Sequence, residues 1–135
     1  MLSRNSYPQA YVDASRAAVR THLDAWEALG LTPEARAGFE AGYVRQLLLA
    51  LDGYFIHRGR GQEGKDGNPL NEVRMLCDSI RDDGGVLTAS STIRYRPDSS
   101  VLGLAAGDPI DVGVEDFRRL AEAVFDEIEK RFPEK

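Results

Sequence analysis

From Asp52 to Arg74 the chain reads DGYFIHRGRGQEGKDGNPLNEVR. This stretch leaves a long apolar segment, crosses a polar loop with four glycines between residues 59 and 68, and continues beyond Pro69 with helical periodicity. Glycine interleaved with charge is typical of a loop without regular structure. We therefore expect two helices joined by an irregular loop over 59–68, with the rest of the chain serving as their scaffold.

Both helices beside this loop have recognisable start signals. The segments Thr32-Pro33-Glu34 and Asn68-Pro69 each place a capping side chain directly before a proline, which fits the first turn of a helix. The pattern predicts that the earlier helix runs from Pro33 to about Ile56 or Arg58. The later helix should end at Asp83-Gly84-Gly85, where two glycines follow the last apolar position.

Apolar residues at spacings of three and four predict two further helices, over 9–29 and over 114–131. Between the third and fourth helices the pattern changes, because residues 92–96 alternate polar and apolar with a period of two. Short strand candidates at 101–104 and 110–112 follow, separated by a turn. The predicted fold is mainly α: four helices with a small antiparallel β element inserted before the last, in a single domain over 1–135.

The second helix has an unusually wide apolar surface made of two neighbouring stripes. One consists of Phe39, Tyr43, Leu47, Ala50 and Tyr54, and the other of Val44, Leu48, Leu51 and Phe55. Such a surface predicts a central helix packed on two sides. Gly38 and Gly42 each lower helix propensity by up to about 1 kcal/mol relative to Ala. A close approach by a neighbouring helix would explain their presence.

Composition excludes several classes of function. The 135 residues carry a net charge of −5 with 29% charged residues, which makes broad nucleic-acid binding unlikely, since that needs an excess of Lys and Arg. Cys77 is the single cysteine and no signal-peptide pattern is present, so we expect a reducing, cytoplasmic setting. No apolar run reaches the roughly 18 residues of a membrane span.

The strongest candidate site lies in the 52–74 stretch, where polar and charged side chains are dense. From His57 to Arg74 the fixed charges sum to +1 in a chain of −5, and glycine-rich backbone before a helix can present N–H groups to an anion. We therefore expect a phosphate or carboxylate to bind here, with Glu63 or Glu72 as a candidate base. The proposed residues are His57, Arg58, Arg60, Glu63, Lys65, Asn68, Asn71, Glu72 and Arg74. The alternative is that the arginines pair internally with acids and only order the loop.

Other motifs in the chain are weaker. Residues 59–65 match the Gly-x4-Gly-Lys pattern of a phosphate-binding loop, but a helix precedes them and Asp66 replaces the required Ser or Thr. With two histidines and one cysteine, neither a metal nor a cofactor is expected. His22 is interpreted as a hydrogen-bonded core histidine, Cys77 as an inert core thiol, and His57 as either a site residue or a helix-end residue.

Two functional hypotheses follow. The first is a small anionic ligand bound at residues 52–74, with any catalytic role left open. The second is a homo-oligomeric assembly module without catalytic activity. In that case the wide surface of the second helix, with Gly38 and Gly42, serves a homodimer.

Overall fold

The computed structural model describes residues 3–135, which form five α-helices. The helices are α1 (Gln9–Ala28), α2 (Pro33–Tyr54), α3 (Arg60–Glu63), α4 (Pro69–Asp82) and α5 (Val114–Arg131), and a 3-10 turn covers Pro97–Ser99. The predicted mainly helical class and the four long helices are confirmed. The α2 helix is shorter than predicted, because it ends at Tyr54.

The capping signals act as the sequence predicts. Thr32 Oγ1 accepts a hydrogen bond from the Ala35 backbone N–H at 3.2 Å, and Asn68 Oδ1 accepts one from the Leu70 N–H at 2.9 Å. Each bond satisfies one of the N–H groups that the first turn of a helix leaves without a partner. These two caps set where α2 and α4 begin.

The central helix of the fold is α5. It packs against α1, α2 and α4, whereas α2 packs mainly against α4 and α5. The buried side chains of α5 are Val114, Phe117, Leu120, Ala121, Val124, Phe125 and Ile128. They contact the buried faces of the other helices, and the resulting core continues into Phe55 and Phe132.

The prediction that α2 is the central helix is wrong, and its second side is covered only in part, by Trp26 of α1 stacked on Phe39 and Tyr43. The stripe of Val44, Leu48, Leu51 and Phe55 is buried, but Phe39 on the other stripe is 55% exposed. A Cβ built at Gly38 or Gly42 would meet no atom of residues 3–135 within 4 Å, so no helix of this chain approaches them closely. The outer face of α2 therefore stays open.

The α1 helix differs from its prediction at one position. Val12, Ser15, Val19, Leu23 and Trp26 are buried, as the helical pattern indicates. His22 is exposed, so its interpretation as a core histidine is wrong. The reason is that α1 packs mainly on α5, and Leu23 rather than His22 occupies the core position of that turn.

The predicted β element is also wrong. Within residues 3–135 no strand forms, and the segment 86–112 contains the 3-10 turn and one isolated bridge between Val86 and Pro109. The alternation at 92–96 is nevertheless real, because Ile93 and Tyr95 pack on the core while Thr92, Arg94 and Arg96 are exposed. Extended segments this short are only marginally stable as strands without further pairing.

The glycine-rich segment is more ordered than predicted, because α3 forms a single turn within it. Gly64 ends that turn with a φ of +78°, which favours glycine. Gly67 has a φ of +88°, and a Cβ there would lie 2.5 Å from the Arg94 carbonyl oxygen. The Arg94 N–H donates to the Lys65 carbonyl at 2.8 Å, so the segment around Arg94 lies directly against this loop.

The buried thiol of Cys77 provides a test of the core. Burial raises its pKa to about 12, and its Sγ lies 3.2 Å from the Leu48 carbonyl oxygen. We expect the thiol of the folded protein to resist a thiol-reactive dye at pH 8 and to react fully in denaturant, because only the thiolate is nucleophilic. Rapid labelling under native conditions would show that α4 separates readily from α2.

Candidate functional site

The Arg58 side chain is the centre of the predicted site, and it is buried with 1% of its surface exposed. Its Nε donates to Glu63 Oε1 at 2.8 Å, and its Nη1 and Nη2 donate to the carbonyls of Phe55 at 2.9 Å and Leu70 at 3.2 Å. Asp52 Oδ1 lies 3.0 Å from Nη2 as an ion pair without hydrogen-bond geometry. The guanidinium thus joins the end of α2, α3 and the start of α4.

Glu63 is equally enclosed, and its carboxylate accepts from three side chains. Besides Arg58, it accepts from Arg74 Nη2 at 2.6 Å and from Asn71 Nδ2 at 2.7 Å. Burial favours the neutral acid, but the hydrogen bond from Arg74 and the charges of Arg58 and Arg74 outweigh it and lower the pKa of Glu63. Glu63 is therefore an ionised structural carboxylate whose oxygens are already occupied.

The two asparagines close the loop around this ion pair. Asn68 Nδ2 donates to the Glu63 carbonyl at 2.8 Å and to Asp66 at 2.7 Å. Asn71 Oδ1 accepts from the Gly67 N–H at 2.9 Å. These bonds satisfy backbone groups that would otherwise be buried without partners, so both side chains order residues 63–68.

Glu72, the other candidate base, faces a different segment. Its two carboxylate oxygens accept from the backbone N–H groups of Val101 at 2.8 Å and Leu102 at 2.9 Å. Burial raises its pKa, and these two hydrogen bonds oppose that rise. Glu72 therefore anchors the segment after the 3-10 turn to α4.

The structure thus separates the nine predicted residues into two groups. Six form internal contacts that hold the fold: Arg58, Glu63, Asn68, Asn71, Glu72 and Arg74. His57, Arg60 and Lys65 are exposed. Among residues 3–135, neither Arg60 nor Lys65 has an ion-pair partner. The sequence left open whether the arginines pair internally with acids. In the structure Arg58 and Arg74 do so.

Arg60 and Lys65 face a surface cleft with two adjoining parts, which we call the cation cleft. A narrow inner part is lined by Arg60, Glu63, Gly64, Lys65, Asn71, Arg74, Thr92 and Ile93. A wider outer part of ≈ 350 Å³ is lined by Lys65, Asp66, Thr92 and Arg94. Five of the nine predicted residues therefore lie at this cleft, and Lys65 and Thr92 belong to both parts.

Thr92 and Arg94 were not among the predicted site residues. They lie more than twenty positions after Lys65, in the alternating segment that the sequence assigned to the β element. The two-residue alternation at 92–96 does indicate that Thr92, Arg94 and Arg96 share an exposed side. Only the contact between Arg94 and the loop at Lys65 and Gly67 reveals which surface that side joins.

The acidic groups near the cleft are already paired. Asp66 accepts from Asn68 and from Arg131 Nη2 at 2.9 Å, and these contacts lower its pKa to about 2. Glu63 is balanced by Arg58 and Arg74. Arg60, Lys65 and Arg94 are consequently the exposed charges of the cleft that have no ion pair within the described chain.

His57 lies apart from the cation cleft. It borders a groove of ≈ 430 Å³ between the start of α1 and the end of α2, which we call the tyrosine groove. The residues lining it are Arg4, Tyr7, Pro8, Tyr11, Gly53, Tyr54, Ile56 and His57. The structure therefore does not place His57 at the same surface as Arg60 and Lys65, although the prediction grouped the three.

Comparisons with known proteins give no relative: no protein-family model, curated protein or solved structure matches the chain. In the described part of the chain, no helix is long and apolar enough to cross a membrane. Nor does any group of three or more His, Cys, Asp or Glu side chains within residues 3–135 have an arrangement that could hold a metal ion.

The buried ion pair makes a prediction about stability. Replacing Glu63 with Gln removes the carboxylate that pairs with both Arg58 and Arg74 and leaves Asp52 as the one acid beside Arg58 in the described chain, and removing one member of a buried pair costs about 3–5 kcal/mol. We expect a loss of this size in urea unfolding at pH 7. The exposed Glu134→Gln variant should be unchanged and serves as the matched control.

The same variant has a distinct pH dependence. Because the folded-state pKa of Glu63 lies below its usual 4.5, its stabilising effect is complete above that value and is lost as the pH falls through the folded-state pKa. The stability difference between wild type and Glu63→Gln should therefore shrink under acid conditions. A difference independent of pH would contradict an ionised Glu63.

Proposed function

We propose that this protein binds a small, multiply charged oxyanion of the phosphate class in the cation cleft. The observation that carries the proposal is that Arg60, Lys65 and Arg94, three cations without ion pairs in the described chain, border one cleft of a chain with net charge −5. Arginine and lysine are the side chains that most often bind phosphate oxygens in proteins.

The cleft's walls support this proposal because they are held in place before any ligand arrives. The Arg94–Lys65 backbone hydrogen bond joins the two sides of the outer part. The Arg58–Glu63 pair and the two asparagines hold the inner wall. A preorganised site loses less conformational entropy on binding, so more of the charge attraction contributes to affinity.

The proposal is for binding and not for catalysis. The candidate bases Glu63 and Glu72 both direct their carboxylate oxygens at internal donors, and Glu63 is held ionised by two arginines. Thr92 adds a hydroxyl at the cleft that can donate to a phosphate oxygen. Carboxylates are a weaker fit, because a single negative charge would leave much of this positive charge unbalanced.

Titration with pyrophosphate tests the proposal. A charge-assisted hydrogen bond contributes about 1.5–3 kcal/mol, so Lys65→Ala and Arg94→Ala should each weaken binding by about 10-fold or more. Isothermal titration calorimetry measures this directly. Both residues are exposed, so thermal stability without ligand should stay at the wild-type value.

Lys130→Ala is the matched control, since Lys130 is an exposed cation on the last turn of α5. Its affinity should equal that of the wild type. Binding should also weaken as NaCl rises, because salt screens exposed charges. Affinity unchanged by both cleft variants, or no heat of binding at millimolar pyrophosphate, would refute the proposal.

We propose self-association through the outer face of α2 as a second candidate function, on the basis of a different observation. From Gly38 onward, the exposed positions of α2 are Gly38, Phe39, Gly42, Gln46, Ala50 and Gly53, and none carries a charge. Exposed helix faces of monomeric proteins usually carry charged residues. An uncharged face of this length suits a second copy of the chain, since each face meets an equally uncharged one.

A charge placed on this face tests the second candidate. In a dimer, Ala50→Glu would bury an unpaired carboxylate at a cost of about 3 kcal/mol or more, which corresponds to about a 100-fold loss of affinity. Size-exclusion chromatography with light scattering should show the wild type as a dimer at micromolar concentration and Ala50→Glu as a monomer. Ala17→Glu, on an exposed position of α1, should remain a dimer.

A further inference from the structure

We propose that two copies of this chain pair their α2 helices antiparallel about a twofold axis at Gln46, with Phe39 of each copy seated in the tyrosine groove of the other. This inference rests on the second candidate function and specifies its partner and register. It is independent of the cation cleft, which shares no lining residue with the tyrosine groove or with the outer face of α2.

The spacing along the outer face is that of a helix-pairing seam. Exposed positions separated by three or four residues run along α2 and into the turn after it: Phe39, Gly42, Gln46, Ala50, Gly53 and Ile56. This is the repeat by which two helices keep one stripe facing each other. Gln46 is the single polar residue in the stripe, and a lone polar residue at such a position sets register in paired helices.

The surface is elongated and is widened by α1. From Phe39 to Ile56 the stripe is about 26 Å long at the helical rise per residue. The neighbouring α1 widens it, since Trp26 stacks on Tyr43 at 4.9 Å near one end and Tyr11 donates a hydrogen bond to the Tyr54 carbonyl near the other. At an ordinary helix separation of about 10 Å the stripe contributes roughly 260 Å² per partner, and the contacts of Phe39 with the groove and of α1 add to this area.

The sizes of the side chains select the register. Gln46 lies midway between Phe39 and Gly53, and also midway between Gly42 and Ala50. An antiparallel pair centred on Gln46 therefore sets the large Phe39 against Gly53 of the second copy and Gly42 against Ala50. Large residues facing small ones keep the two helix axes at a constant distance, as close packing requires.

The central glutamines satisfy each other in this register. A buried amide without partners is unfavourable, but two facing amides can each donate an N–H and accept at a carbonyl oxygen. A parallel pair would also bring the glutamines together. It would, however, set Phe39 against Phe39 and Gly53 against Gly53, which alternates crowding with gaps along the interface.

The tyrosine groove provides the socket for Phe39. Gly53 is part of its wall, and a Cβ at that position would meet no described atom within 4 Å, so a ring can approach the backbone. Tyr11, Tyr54 and Ile56 supply aromatic and apolar sides. Phe39 and the groove lie at opposite ends of α2, so a twofold axis at Gln46 makes two identical contacts and closes the dimer.

Cysteine cross-linking tests this arrangement in the full chain. Under mild oxidation, Gln46→Cys should form a covalent dimer, because the axis brings its two copies together. The double variant Phe39→Cys/Gly53→Cys should also cross-link. Each of those two changes alone should not, since identical residues would lie about 20 Å apart and a disulfide needs Cα atoms within about 7 Å. Native Cys77 is buried and contributes no linkage.

Ala17→Cys is the control for chance collisions and should form at least 10-fold less covalent dimer than Gln46→Cys. Cross-linking of Phe39→Cys alone would overturn the antiparallel register in favour of a parallel one. A dimer by light scattering that Gln46→Cys does not cross-link would overturn the register but leave self-association standing. A strict monomer at micromolar concentration would overturn both and leave the cation cleft unaffected.

Discussion

The buried ion pair between Arg58 and Glu63 is the interaction on which the rest of the structure depends. Ionised groups are removed from water here, and this is tolerated because Arg58 and Glu63 direct their charged atoms at hydrogen-bond partners. Arg58 also donates to the carbonyls of Phe55 and Leu70, which fixes how the end of α2 meets the start of α4. The Glu63 carbonyl accepts from Arg131 at 2.8 Å, so the last turn of α5 is tied to the same point.

This pair also explains how a glycine-rich loop becomes a defined surface. Glycines supply the backbone conformations of the turn, but they provide no side chains to hold it. The two asparagines and the ion pair supply those contacts from inside the loop. As a result Arg60 and Lys65 project from an ordered segment, and Arg94 is placed beside them by a backbone hydrogen bond. The proposed anion site therefore depends on internal pairing. Some cations pair with acids inside the fold, and the exposed cations without ion pairs in the described chain remain to bind an anion.

The two proposed surfaces use different physical principles and different parts of the fold. The cation cleft concentrates charge at the junction of α3, α4 and the 92–94 segment. The outer face of α2 has no charged residue at its exposed positions from Gly38 onward and presents Phe39 beside glycines. Because α5 is the central helix, α2 lies at the edge of the bundle, where Phe39 and the glycines of its outer face stay exposed while Tyr43 stacks on Trp26 of α1.

Local chemistry made part of this protein predictable from its residues alone. The caps at Thr32 and Asn68, the proline positions and the apolar spacing determine where the helices lie, because these effects act over a single turn. The site prediction named Arg60 and Lys65 for the same reason, since charge and glycine content are local properties. It could not distinguish them from Arg58 and Arg74, because that distinction depends on which acid each guanidinium meets after folding.

The remaining features depend on contacts between distant parts of the chain. The alternation at 92–96 is a local pattern, but a strand requires a hydrogen-bonded partner, and the segment meets the loop at Lys65 instead of another strand. His22 and Leu23 are equally plausible core residues by spacing, and the packing of α1 on α5 selects Leu23. The wide apolar surface of α2 predicts that two faces of this helix pack against other helices. Only the assembled bundle shows that one face is covered by α4 and α5 and the other only in part by α1, since burial is a property of the whole fold and not of one helix.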